Sequence, residues 1–101
     1  MASRLKLQTL FENLLGSRNV YFQPPASLNM KYPAIVYSLN DFENFHANNT
    51  VYAQTACYMV TVIDKDPDSD YVKKVSKLPM CIYDRHYVSD NLNHDVFTLY
   101  F

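Results

Sequence analysis

Four aspartates, Asp64, Asp66, Asp68 and Asp70, stand at alternate positions directly after the β-forming run from Tyr58 to Ile63. Alternating carboxylates resemble the first ligands of a calcium loop. Such a loop needs roughly six to eight oxygens, a glycine at its sixth position and a bidentate glutamate at its twelfth. Counted from Asp64, those positions hold Ser69 and Val75, and Pro67 stiffens the backbone where the chain would wrap the ion. The run therefore reads as an acidic turn leading into a helix, where negative charge near the N-terminus is favourable. No metal ligand set is assigned to it.

A second polar group comprises Asp84, Arg85 and His86, followed by Asn93 and His94. A hairpin would bring the two halves together, and a His–Asp pair is the usual equipment of general acid–base catalysis. In a regular strand Asp84 and His86 share one side and Arg85 takes the other. No nucleophile accompanies them, so the pattern reads as cross-strand polar pairing. Zinc held by Cys81, His86 and His94 lacks a second ligand pair at a recognisable spacing. Gly16 is the only glycine in the chain, which excludes a glycine-rich phosphate cradle. Cys57 and Cys81 lie in apolar, strand-like runs without a Cys-x-x-Cys spacing, where a thiol behaves as a small hydrophobe in a reducing cytosol. No catalytic residue and no cofactor is assigned, and the expectation is a protein that is not an enzyme and acts by shape and contact.

Charge and hydropathy narrow the partner class. The formal net charge is −1, which gives no overall footprint for nucleic acid. Lys73, Lys74 and Lys77 cluster, as the solvated face of a short helix does. The N-terminal segment is polar and basic, then amphipathic, without the apolar centre of a signal peptide. No apolar run approaches the roughly 20 residues that span a bilayer, so no membrane partner is expected.

The elements that must position these groups follow from periodicity. The length, 101 residues, fits one domain (1–101), and 49% hydrophobic residues suffice for a core. Ser3 caps a helix to about Leu15, with Leu7, Leu10, Phe11, Leu14 and Leu15 on one face. Gly16 ends it in a left-handed conformation. Val20–Phe22 is a short strand stopped by Pro24-Pro25, and Ala34–Tyr37 is another. The asparagine-rich segment Asn40–Thr50 reads as a loop that tucks one of Phe42, Phe45 or His46 against the body. Val51–Ile63 is the longest strand, central and covered on both faces near its end. Ser69 or Asp70 caps a helix of about Tyr71–Leu78, ended by Pro79. Strands at about Met80–Val88 and Asp95–Tyr100 flank the turn-rich Ser89–Asn93 and form a hairpin. The predicted fold is α+β: a mostly antiparallel sheet of about four to five strands, with the N-terminal helix and a second short helix on one face.

As a whole, the chain resembles small tail-completion proteins of long-tailed bacteriophages, described as tail-terminator, head–tail joining or minor capsid proteins. The resemblance is carried by the amphipathic N-terminal helix and Gly16-Ser-Arg-Asn-Val-Tyr-Phe-Gln-Pro-Pro25. It continues in Met30-Lys-Tyr-Pro-Ala-Ile-Val-Tyr37, Val60-Thr-Val-Ile-Asp-Lys-Asp-Pro-Asp-Ser69, Asp84-Arg-His-Tyr-Val88 and Asp90-Asn-Leu-Asn-His94. It covers almost the whole chain, although no single segment is a known ligand motif. It implies a mixed α/β subunit that forms a homo-oligomeric, hexameric ring in the virion neck, assembled in the host cytoplasm. Such a ring ends the tail tube, meets the tube protein and the head-completion connector, and lets genomic DNA pass through its lumen without sequence-specific binding. Asn44, Phe45 and His46 on one loop, and Asp64, Asp66 and Asp68 on another, are the candidate interface or lumen residues. Three other readings are a stopper or adaptor under the portal, a monomeric cytosolic binding module, and a small metal-dependent hydrolase using Asp64, Asp66, Asp68 and His86.

Overall fold

The structure, a computed structural model, describes residues 4–47 and 50–101, with side chains described at 4–40 and 56–101. Helix α1 spans Arg4–Leu15, and its buried residues Leu7, Phe11 and Leu15 recur every fourth position, forming one stripe. Gly16 closes it: its amide donates to the Glu12 carbonyl at 2.9 Å and its φ is +75°. This is the left-handed cap expected from the sequence.

Strand β1 covers Val20–Phe22, β2 Ala34–Ala47, β3 Thr50–Asp64, β4 Cys81–Ser89 and β5 Leu92–Tyr100; helix α2, Asp70–Ser76, joins β3 to β4. The five strands form one sheet in the order β1-β2-β3-β5-β4. β1 and β2 pair parallel and every other pair is antiparallel. The β4–β5 hairpin turns through Asp90 and Asn91 alone, whose φ values are +54° and +62°. Positive φ at both central residues is the turn whose twist matches paired strands, and Asp and Asn tolerate it best after glycine.

Register sorts the sheet into rows. Leu39, Tyr58, Leu99 and Cys81 form one row, then Tyr37, Val60, Phe97 and Tyr83, then Ile35, Val62, Asp95 and His86. Both helices pack on this face, where Leu7, Phe11, Leu15 and Val75 join Tyr37, Val60, Val62 and Phe97 in the core. Tyr37 is fully buried, edge-on to Phe11 and Tyr58, and its hydroxyl donates to Gln8 Oε1 at 2.5 Å while accepting from Arg4. The α+β fold, the antiparallel sheet and the two helices on one face are as predicted.

Three expectations change. Residues 40–47 and Thr50 are strand rather than loop, because β2 runs on to Ala47 and β3 begins at Thr50, with Asn44, Phe45 and His46 opposite Gln54, Ala53 and Val51. Backbone groups make this pairing. Side-chain periodicity records burial, so a polar run facing a strand partner hides its extended backbone from pattern reading. The placement of the Phe42, Phe45 and His46 side chains lies outside the described residues. Next, β5 begins at Leu92 rather than about Asp95, because the turn needs only Asp90 and Asn91; β3 is central and buried at both Val62 and Ile63 near its end, as expected. Finally, α2 begins at Asp70 and ends at Ser76, two residues before the Leu78 that its apolar spacing suggests.

Candidate functional site

The polar residues of the β4–β5 hairpin do come together, around a residue the sequence reading overlooked. Asp95 on β5 is buried, and its Oδ1 accepts the Tyr83 hydroxyl at 2.8 Å and lies 3.0 Å from His86 Nδ1. Tyr83 and His86 are three residues apart, yet both reach the same carboxylate. A register shift between Tyr83 and Arg85 makes this possible by inserting Asp84 as an extra residue. The simple alternation that grouped Asp84 with His86 therefore fails: His86 meets Asp95, and Asp84 pairs with its neighbour Arg85 at 2.6 Å. Burial, reinforced by the Asp95 carboxylate, pushes the Tyr83 phenol above its ordinary value.

Asp95 could have been found from the turn. A two-residue loop at Asp90-Asn91 sets Ser89 opposite Leu92, and counting outward along both strands puts His86 opposite Asp95. His94 lies on the other face, stacked on Tyr87 with ring centroids 4.6 Å apart. Asn93 instead donates to the Asp64 and Lys65 carbonyls, anchoring the acidic turn to the start of β5.

The Asp95 cluster ties β4 to β5 across the hairpin. One carboxylate oxygen serves two partners, and among the described residues no serine, threonine or cysteine is hydrogen-bonded to His86. An apolar pocket of about 250 Å³ opens elsewhere, between α1 and the C-terminal segment, lined by Leu7, Leu10, Leu78, Met80 and Phe101. Tyr100 also lines it. Cys57 and Cys81 are free thiols, and burial pushes the Cys81 thiol upward, away from the reactive thiolate.

The acidic turn directs its oxygens inward on itself. Asp64 Oδ1 accepts the Asp66 amide at 3.1 Å, and Asp66 Oδ1 accepts the Asp68 amide at 2.9 Å. Ser69 then caps α2 by accepting the Tyr71 amide. These are two Asx turns, in which Asp64 and Asp66 each satisfy a nearby N–H, and an N-cap made by the Ser69 hydroxyl. Asp66, Asp68 and Asp70 remain exposed to solvent. Among the described residues no group of three His, Cys, Asp or Glu side chains converges to hold a metal ion, and no helix is long and apolar enough to cross a membrane.

What the fold does present is open backbone. β5 pairs with β3 only from Cys57 to Asp64, and β1 pairs with β2 only at Ile35–Tyr37. Residues 41–47 and 50–55 thus extend as a two-stranded ribbon beyond the last row of the sheet, in a molecule 51 Å long and 23 Å across. At the other side β4 is the terminal strand, and every residue from Ile82 to Ser89 is exposed. The helix-free face adds Met59, Ile82 and Tyr87 to this open surface. No protein-family model matches the chain, and no curated protein sequence matches it.

Proposed function

We propose that the chain is a structural protein of the virion neck of a long-tailed bacteriophage, built into a hexameric ring that ends the tail tube and joins it to the head connector. The resemblance along almost the whole sequence supplies the setting. The observation that carries the reading is the ribbon of residues 41–47 and 50–55, whose backbone ladder, among the described residues, runs only between its own two strands. Isolated two-stranded hairpins are marginal in water and need a third strand or a packed face. In a ring, the neighbouring subunit supplies that surface, through a head-to-tail contact that closes by rotation. Asn44, Phe45 and His46 lie within this ribbon, on β2.

The acidic turn has a separate place in this reading. Asp66 and Asp68 sit on a short, solvent-facing corner, with Asp64 half-buried at its base. Turned toward the channel, their charge repels the DNA backbone and keeps the exit free of tight binding. Asp66→Asn with Asp68→Asn retains the acceptor oxygens and removes the charge. Slower ejection is expected, and an unchanged ejection rate removes the lumen assignment.

The ring itself is tested in infected cells lacking the chain. The expected lysate contains tails of unregulated length without heads attached. Tailless heads that leak DNA would instead assign the chain to a stopper under the portal. Normal virions from which the chain is absent would overturn the neck reading altogether.

A further inference from the structure

The exposed edge strand β4 has a property that neither its position nor its burial requires. Read outward from the Asp84–Arg85 peptide, its residues match their own reversed sequence by chemistry. Asp84 answers Arg85, Tyr83 answers His86, Ile82 answers Tyr87, and Cys81 answers Val88. In a regular strand such a centre would place matched residues on opposite faces, because side chains alternate. The extra residue at Asp84 cancels that mismatch. By register, Ile82 and Tyr87 both lie on the helix-free face, with Thr98 and His94, while Tyr83 and His86 both lie on the helix face, with Phe97 and Asp95.

We propose that β4 is a dimerisation edge, and that a second copy of this chain pairs with it antiparallel across a two-fold axis at the Asp84–Arg85 peptide. The dimer joins the two five-stranded sheets into one continuous sheet. At its centre, Asp84 of each copy faces Arg85 of the other, forming an alternating ring of four charges from two pairs that are already 2.6 Å apart within each chain. Ile82 meets Tyr87 on one face and Cys81 meets Val88 on the other, which covers side chains now 60%, 43% and 63% exposed at Ile82, Tyr87 and Val88. Edge strands that resist pairing carry proline, repelling charges or a bulge that twists the edge away; in β4 the bulge at Asp84 instead brings the matched residues to common faces. β4 contains no proline, and its two central charges are opposite, so a second copy is attracted. The contact is isologous and cannot by itself close a six-membered ring. It goes beyond the neck reading and stands or falls independently of it.

The test is solution mass at low salt by sedimentation equilibrium, on the wild type and two charge variants, with circular dichroism to confirm the fold. Asp84 and Arg85 are half-exposed, so both variants should fold. The wild type is expected to equilibrate between 11.8 kDa and twice that mass. Asp84→Arg alone and Arg85→Asp alone each place like charges opposite one another and should weaken the dimer about tenfold or more. Mixed together, the two variants present four oppositely charged cross-strand pairs and should form a heterodimer at least about tenfold tighter than either homodimer. A wild type that stays monomeric to about millimolar concentration overturns the proposal. So do single variants that dimerise as well as the wild type, or a mixture that stays monomeric. Particle phenotypes in infected cells report on the neck reading alone, so the two can fail separately.

Discussion

His86 on β4 and Asp95 on β5, opposite one another across the hairpin, meet with Nδ1 3.0 Å from Oδ1, and the same oxygen accepts the Tyr83 hydroxyl. The carboxylate is buried, so removing it leaves two partners without their acceptor. Asp95→Ala should cost about 1–3 kcal/mol in urea unfolding, the range for an unsatisfied buried group. Tyr83→Phe should cost about 1 kcal/mol, and a double-mutant cycle between the two should return a coupling of similar size. Additive losses would mean that the hydroxyl and carboxylate do not act on one another.

Three groups make the fold sensitive to alkali. Burial pushes the Tyr37 phenol and the Cys81 thiol above their ordinary values, and desolvation together with the Asp95 carboxylate raises the half-exposed Tyr83 phenol. Each therefore holds its proton longer in the folded chain than in the unfolded one. At high pH the folded state binds more protons, so stability falls as pH rises. Their contribution is complete below the ordinary thiol value of 9.0 and declines first through Cys81. Tyr37 and Tyr83 follow above their ordinary value of 10.0. The urea midpoint should hold between pH 7 and 8 and drop steadily above about pH 9. Tyr37→Phe should flatten the upper part of that decline while lowering the midpoint at neutral pH, because the Gln8 and Arg4 contacts are lost.

Which parts of this fold show in the sequence depends on burial. The α1 stripe, the Gly16 cap and the hairpin around Ser89–Asn93 all leave periodic or turn-rich residues, and each was predicted. The extension of β2 through Asn44, Phe45 and His46 leaves no such trace, because the backbone forms it and the side-chain pattern is polar. Asp95 was hidden for a different reason. It reads as the first, polar residue of the last strand, and its partners become visible only after the two-residue turn fixes the register. The Asp84 bulge then moves Tyr83 to a face that simple alternation denies it.

Gly16 isolates a backbone effect from packing. Its φ of +75° is left-handed, and a Cβ built there meets nothing within 4 Å. Gly16→Ala should therefore cost about 1 kcal/mol from conformation alone. Gly16→Asn should cost less, since asparagine tolerates this region. Equal losses for the two, measured by thermal unfolding, would show that space rather than φ governs the site.

The two faces of the sheet should differ sharply in what they contribute to stability. On the helix face Phe11 is fully buried, edge-on to Tyr37 with ring centroids 5.4 Å apart. Phe11→Ala removes the side chain that joins α1 to the row Tyr37–Val60–Phe97 and should cost about 3–5 kcal/mol. For a chain of this size that is a large share of the total stability. Met59 lies on the helix-free face of the central strand and keeps 38% of its surface in water. Its neighbours across the rungs, Ser38 and Thr98, offer little apolar area to bury it against. Met59→Ala should thus cost about 1 kcal/mol or less in the monomer. If an assembled particle covers that face, the same substitution should weaken assembly more than it weakens the fold. Comparing unfolding midpoints with the yield of complete particles measures the two effects separately, and a Met59→Ala loss matching that of Phe11→Ala in the isolated chain would mean that the helix-free face is part of the core.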